Sequence, residues 1–131
     1  MTHQHNTEKG YLGETIVIKY LENRGYKLVE RNYRKPWGEI DLVFLKDKII
    51  HIVEVKSVTC EIISKNVSYE KLSFNPEDNM HEEKRNRLKR VIETYIAEKN
   101  WIGDFQVDLV LVYMDIKAKR SKMNMIYNIE L

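Results

Sequence analysis

Cysteine and proline are nearly absent: there is one Cys, at position 60, and two Pro in 131 residues. A lone cysteine cannot close an internal disulfide or build a thiolate zinc site, which fits a protein kept in a reducing cytoplasm. No apolar run approaches the ~18–20 residues needed to cross a bilayer, so no membrane partner is expected. Residues 1–9 are polar, so no secretory signal is expected either. Net charge is also small, +2 from 22 basic and 20 acidic residues, and by itself says little about partners. There are no internal repeats and no Gly/Ser linker.

What is present is a chain 43% apolar and 32% charged. Its length suffices for one continuous core and not for two. The cations cluster. Residues 84–90 hold five and no acid, residues 117–122 hold four, and Arg31, Arg34 and Lys35 form a third group. Such clusters are compatible with a phosphate-binding face, and equally with a solvated surface.

Residues 1–7 read as a frayed, disordered tail, and 8–131 as a single domain. Residues 8–24 carry a helical pattern that Gly25 is placed to end. Stepping ~100° per residue puts Tyr11, Val17, Ile18 and Leu21 in one sector. Glu14 falls inside that sector, where a carboxylate is costly unless something pairs with it, and a solvated place at the sector's edge is the competing reading. Strand-like runs follow at 26–33, 39–45 and 48–56, with a turn at 35–38 and a hairpin turn at Asp47-Lys48. Residues 57–75 read as a long loop. Asn75-Pro76-Glu77 has the chemistry of a helix start, and Leu88, Val91, Ile92, Tyr95 and Ile96 mark the buried stripe of a helix reaching about residue 99. Residues 105–114, the most apolar strand, should be central, and 124–129 close the sheet. The order is α-β-β-β-α-β-β. A helix between the third and fourth strands implies that those two run parallel.

The hairpin carries the chemistry. A two-residue turn at Asp47-Lys48 makes cross-strand partners sum to 95, so Asp41 faces Glu54 and Glu39 faces Lys56. Alternation then brings four charged groups to one face. Two anions directly opposed are destabilising. A divalent cation such as Mg²⁺, which takes hard oxygen ligands, would resolve the conflict. A plain ion-pair ladder from Glu39 to Lys56 is the competing reading. Among lesser candidates, Trp37 is read as packing over the hairpin more readily than as stacking on a base. His81 is read as a surface histidine, and Asp108 as paired with a cation or a backbone N–H. Cys60 reads as an ordinary thiol.

Asp41 followed by Glu54-Val55-Lys56 matches the D…ExK signature of the PD-(D/E)XK nuclease superfamily. Gly13-Glu14, Gly25-Tyr26, Arg31-Asn32-Tyr33-Arg34, Gly38-Glu39-Ile40-Asp41-Leu42, Pro76-Glu77, Lys84, Arg87-Leu88 and Val107-Asp108-Leu109-Val110 accompany it in order. Over about residues 8–130 the chain resembles the YraN-type family of predicted endonucleases, itself similar to archaeal Holliday-junction resolvases. The resemblance implies an α/β, restriction-endonuclease-like fold with a mixed five-stranded sheet flanked by helices. It implies Mg²⁺, replaceable by Mn²⁺, held by Asp41, Glu54 and the backbone carbonyl of Val55. It gives Lys56 the attacking water and Glu14 the completion of the site. The substrate implied is DNA, branched or otherwise structured, with Arg34, Lys84, Arg87 and Arg90 on its backbone. A homodimer is a further implication. The sequence departs from the family at Ser57-Val58, where a basic residue is common, and in the length of the segment before Pro76. A non-catalytic nucleic-acid-binding protein that keeps the nuclease fold is the alternative, and an interaction protein without nucleic acid ranks below both.

Overall fold

The computed structural model describes residues 8–59 and 82–131. Helix α1 spans Glu8–Glu22, and strands β1, β2 and β3 span Lys27–Lys35, Gly38–Lys46 and Ile49–Thr59. Helix α2 spans Glu82–Glu98, and strands β4 and β5 span Asp104–Asp115 and Arg120–Ile126. The five strands form one sheet in the order β1-β2-β3-β4-β5. Neighbours are antiparallel except β3 and β4, which run parallel. This is the mixed α/β sheet that the hydrophobic pattern implied, with the helix between the parallel pair.

Local chemistry explains the element ends. Gly25 sits at φ +89° after α1. Its N–H reaches the Glu22 carbonyl, and the Tyr26 N–H reaches back to Leu21, which satisfies the last helical carbonyls. Asn100 at φ +53° closes α2 in the same way, with its N–H on Ala97 and the Trp101 N–H on Ile96. The β2–β3 turn is the expected two-residue one, with Asp47 and Lys48 both at positive φ. That conformation matches the twist of the flanking strands.

The sheet is covered on both faces. Val17, Ile18 and Leu21 of α1 pack on Leu42, Phe44, Val53, Val110, Val112 and Met114. Leu88, Val91, Ile92 and Tyr95 of α2 pack on Tyr33, Ile40, Val43, Ile50, Ile52 and Val107. Two glycines let the helices approach closely. A Cβ on Gly13 would collide with the Ser57 hydroxyl and lie 3.1 Å from Ser57 Cβ, and one on Gly38 would lie 3.0 Å from the Arg87 carbonyl oxygen. Both contacts lie at the end of the sheet away from the Asp47-Lys48 turn, so they set where Glu14 and Lys84 stand.

Several boundaries differ from the expectation. Strand β3 runs on through Ser57, Val58 and Thr59, which pair with Val112, Tyr113 and Met114. A loop therefore does not begin at residue 57. The parallel ladder to β4 holds this polar stretch extended, and such a long-range partner leaves no local signal. Strand β5 begins at Arg120, opposite Asp115, and ends at Ile126. Its first residues are charged and exposed, which hid them among the turn cations. The centre of the sheet is β3, with β4 one place over. Tyr11 is 55% exposed and not part of the buried sector of α1. The expected tail at 1–7, the rest of the 57–75 loop, the helix start at Asn75-Pro76, Cys60 and His81 lie outside the described residues.

Candidate functional site

The register of the β2–β3 hairpin follows the sum of 95 from Lys46↔Ile49 to Leu42↔Val53, where the paired ladder ends. Beyond it the two strands part, and side chains take over the bonding. The Asp41 N–H donates to Glu54 Oε2 at 3.1 Å, and the Val55 N–H donates to Asp41 Oδ2 at 2.9 Å. Each acid accepts from the backbone of the opposing strand, so the fork is bridged in both directions.

The same point is a change of face. Tyr33 and Ile40 are partners and pack under α2, whereas Arg31 and Leu42, the next partners but one, serve the α1 side. Strand alternation would put all four together. Both strands turn over between these pairs, at Asn32, whose φ is +55°, and at Asp41 opposite it. Asparagine tolerates that left-handed backbone better than most residues. Glu39 stays close enough for its charge to add to the rise in pKa of both Asp41 and Glu54. It forms its ion pair across β1, with Arg34 Nε 3.3 Å from its Oε2. Among the described residues no carboxylate pairs with Lys56, so the competing Glu39–Lys56 ladder is not what the strands build.

Glu14 is 1% exposed, and its Oε1 accepts from Arg31 Nε at 3.3 Å and from Asn32 Nδ2 at 3.5 Å. Its Oε2 is buried without a hydrogen-bond partner. Burial, then the nearby charge of Asp41, raises its pKa to about 7 against the pull of Arg31. Burial raises Asp41 to about 6, opposed by the Val55 N–H and by Lys84. Glu54 is pushed well above the usual carboxylate range by burial and by the charge of Asp41. The charge of Asp41 is thus one of the causes that make a second negative charge at Glu54 costly.

The other expected residues stand at varying distance from this fork. Lys84, exposed at the start of α2, lowers the pKa of both Asp41 and Glu54 and so lies within electrostatic reach. Lys56 is partly buried two residues beyond Glu54 on the same strand. Arg34 is engaged with Glu39, and Arg87 with Glu83 at 2.8 Å. The Arg90 guanidinium lies 5.0 Å from the Trp37 ring, whose Nε1 donates to Thr94. Trp37 is thus a packing residue of the α2 face, as the sequence suggested. Arg31, read from the sequence only as one of a cation group and as a motif residue, anchors Glu14. Asp108, fully buried, has the kind of partners expected: Gln106 Nε2 and the Asn128 N–H, together with His51 Nδ1 at 3.1 Å.

The donor set suits a hard dication in part. Asp41 and Glu54 offer oxygens from adjacent strands, the Val55 carbonyl lies beside them in sequence, and Glu14 Oε2 is a buried oxygen without a donor. Among the described residues no three His, Cys, Asp or Glu side chains are grouped closely enough to hold a metal by themselves. A Mg²⁺ here would rest on one or two carboxylates with water and phosphate oxygens filling its shell, which is usual for that ion.

The architecture is therefore that of a mixed-sheet α/β protein with a carboxylate pair at a strand fork between two helices. The family model described as uncharacterised protein family UPF0102 matches residues 13–112, and the chain belongs to that family. This agrees with the YraN-type resemblance of its motifs. A UPF0102 protein of Alkaliphilus metalliredigens is 40% identical over 120 residues, covering 91% of this chain and 94% of the relative. One of Campylobacter lari is 35% identical over 106 residues, covering 81% and 84%. One of Campylobacter hominis is 33% identical over 124 residues, covering 93% of each. Among the described residues no helix is long and apolar enough to cross a membrane.

Proposed function

We propose that the protein is a metal-dependent endonuclease that hydrolyses phosphodiester bonds in DNA. The observation that carries this is the reciprocal bridge at the fork: two acids from adjacent strands, each fixed by a backbone N–H of the other strand and both raised in pKa. Clustered carboxylates with perturbed pKa values often mark a reactive centre. The PD-(D/E)XK likeness of Asp41, Glu54 and Lys56 supports the same reading.

Asp41, Glu54 and the Val55 carbonyl would hold Mg²⁺. When bound, the ion would polarise the phosphate and acidify a water. Lys56 orients the attacking water and, with Lys84, places positive charge where negative charge builds on the phosphate. Water adds to phosphorus, the P–O3′ bond breaks, and the 3′ oxygen leaves with a proton. Glu14, braced by Arg31, keeps the α1 side of the site acidic.

The test is cleavage of flapped and branched DNA with Mg²⁺ by the parent, Asp41→Asn and Glu54→Gln. Each variant should keep its fold and lose cleavage by about two orders of magnitude or more, the scale of removing one electrostatic group from a reaction centre. Unchanged cleavage by either variant refutes its role. One observation favours a second reading, a nucleic-acid-binding protein that does not cut: Glu14 is committed to Arg31 and is not grouped with the pair. Calorimetric titration decides between them. Saturable Mg²⁺ or Mn²⁺ binding that disappears in Asp41→Asn supports the nuclease, and salt-sensitive DNA binding indifferent to either ion supports the second.

A further inference from the structure

We infer that Tyr11 and Arg31 form a stacking platform for an unpaired base beside the carboxylate fork, so that the substrate is a DNA strand with unpaired bases next to the bond to be cut. This rests on the nuclease reading and goes further by naming the substrate's form. Tyr11 ends the first turn of α1 and is 55% exposed. The Arg31 guanidinium carbon lies 3.7 Å from the ring centroid. Arg31 is itself fixed by three further contacts: to the Tyr11 carbonyl at 3.0 Å, to Thr15 Oγ1 at 3.1 Å and to Glu14 at 3.3 Å. One side of the ring is thus backed by a cation, and no other ring or cation among the described residues covers it.

The place matters as much as the chemistry. Arg31 pairs with Leu42, and Tyr33 with Ile40, so Asn32 lies across from Asp41. Arg31 therefore stands one residue along β1 from the position across from Asp41, and it reaches to α1. The Nε and Nη2 donors of Arg31 are turned to Glu14, the Tyr11 carbonyl and Thr15, which makes it a brace for the ring. An exposed aromatic face beside a phosphodiester site is a natural stacking surface for a nucleobase. In a duplex the base faces are hidden by stacking, whereas a single strand, flap or gap offers them. Cation–π backing strengthens such a surface, and its rigidity lowers the entropy lost on binding.

The experiment measures anisotropy of a labelled single-stranded oligonucleotide and of a blunt duplex, in EDTA, with the full chain, Tyr11→Ala and Tyr11→Trp. Stacking on an aromatic side chain typically accounts for about 5- to 100-fold in affinity. Tyr11→Ala should weaken single-strand binding by about that factor and duplex binding by less than about twofold, and Tyr11→Trp should restore single-strand binding. Equal losses on both ligands, no loss on the single strand, or no rescue by tryptophan would overturn the platform. The two readings fail separately. A parent that cuts duplex and flap alike without regard to Tyr11 overturns this inference alone, and a parent that binds single strands through Tyr11 but never cuts with Mg²⁺ overturns hydrolysis alone.

Discussion

Replacing Asp41 by Asn should make the metal-free protein more stable, and the gain should grow with pH. Asp41 sits at a fork where burial raises its pKa from 3.8 to about 6 and where Glu54 is raised with it. An acid whose pKa is raised by folding binds protons more tightly in the native state. Native stability is then lost as pH rises through the window from about 3.8 to about 6. Above that window the whole penalty applies, and a displacement of this size corresponds to about 3 kcal/mol. Asparagine keeps an oxygen for the Val55 N–H and removes the charge, at the loss of a charge-assisted bond, so a net gain of about 2 kcal/mol is expected at pH 8. Urea denaturation in EDTA at pH 4, 6 and 8 reads this directly. With a urea slope of ~2 kcal/mol per molar, the midpoint of the variant should lie about 1 M above the parent at pH 8. The two should be nearly equal at pH 4. A variant less stable than the parent at pH 8, or a difference that does not change with pH, would show that the two acids are comfortable neighbours, and the case for a dication at the fork would go.

Arg31→Ala should destabilise the protein by about 2 kcal/mol at pH 8, because it strips the cation from buried Glu14. At pH 5, below the value of about 7 at which Glu14 titrates, the loss should shrink, and chemical denaturation at the two pH values checks it. Phe44→Ala, at a fully buried position under α1, should cost about 3–5 kcal/mol by the same assay. Gly13→Val should displace α1 from Ser57 and cost about 1–3 kcal/mol, with a loss of Mg²⁺-dependent cleavage if Glu14 moves with the helix. Binding of Mn²⁺ should strengthen from pH 5 to pH 7 as the Asp41–Glu54 pair gives up its proton, which titration calorimetry in two buffers would show as proton release.

Much of the architecture was legible because the signals were local. The Asp47-Lys48 turn fixes the register as far as Leu42↔Val53, and both turn residues adopt the positive φ that a two-residue hairpin requires. The stripe of Leu88, Val91, Ile92 and Tyr95 lies buried where helical spacing put it. The out-of-place carboxylate of Glu14 found its cation in Arg31. The sequence did not show that the register ends at Leu42, because nothing in Ile40-Asp41-Leu42 announces a change of face. Nor did it show that Ser57, Val58 and Thr59 are strand, since their partners lie in β4. Nothing local marks His51, whose partners, Asp108 and the Tyr26 ring, both lie far along the chain.

The amino-acid order alone determined the elements, their sequence and the two acids in neighbouring strands, because periodicity, turn chemistry and spacing act over a few residues. Tertiary structure decided how those acids meet. The strands part at Asp41, each carboxylate takes a backbone N–H of the other strand, and α1 and α2 bring Glu14 and Lys84 to the gap. Those outcomes depend on the twist of β1 and β2 and on close helix contacts at Gly13 and Gly38, which are properties of packed neighbours distant in sequence.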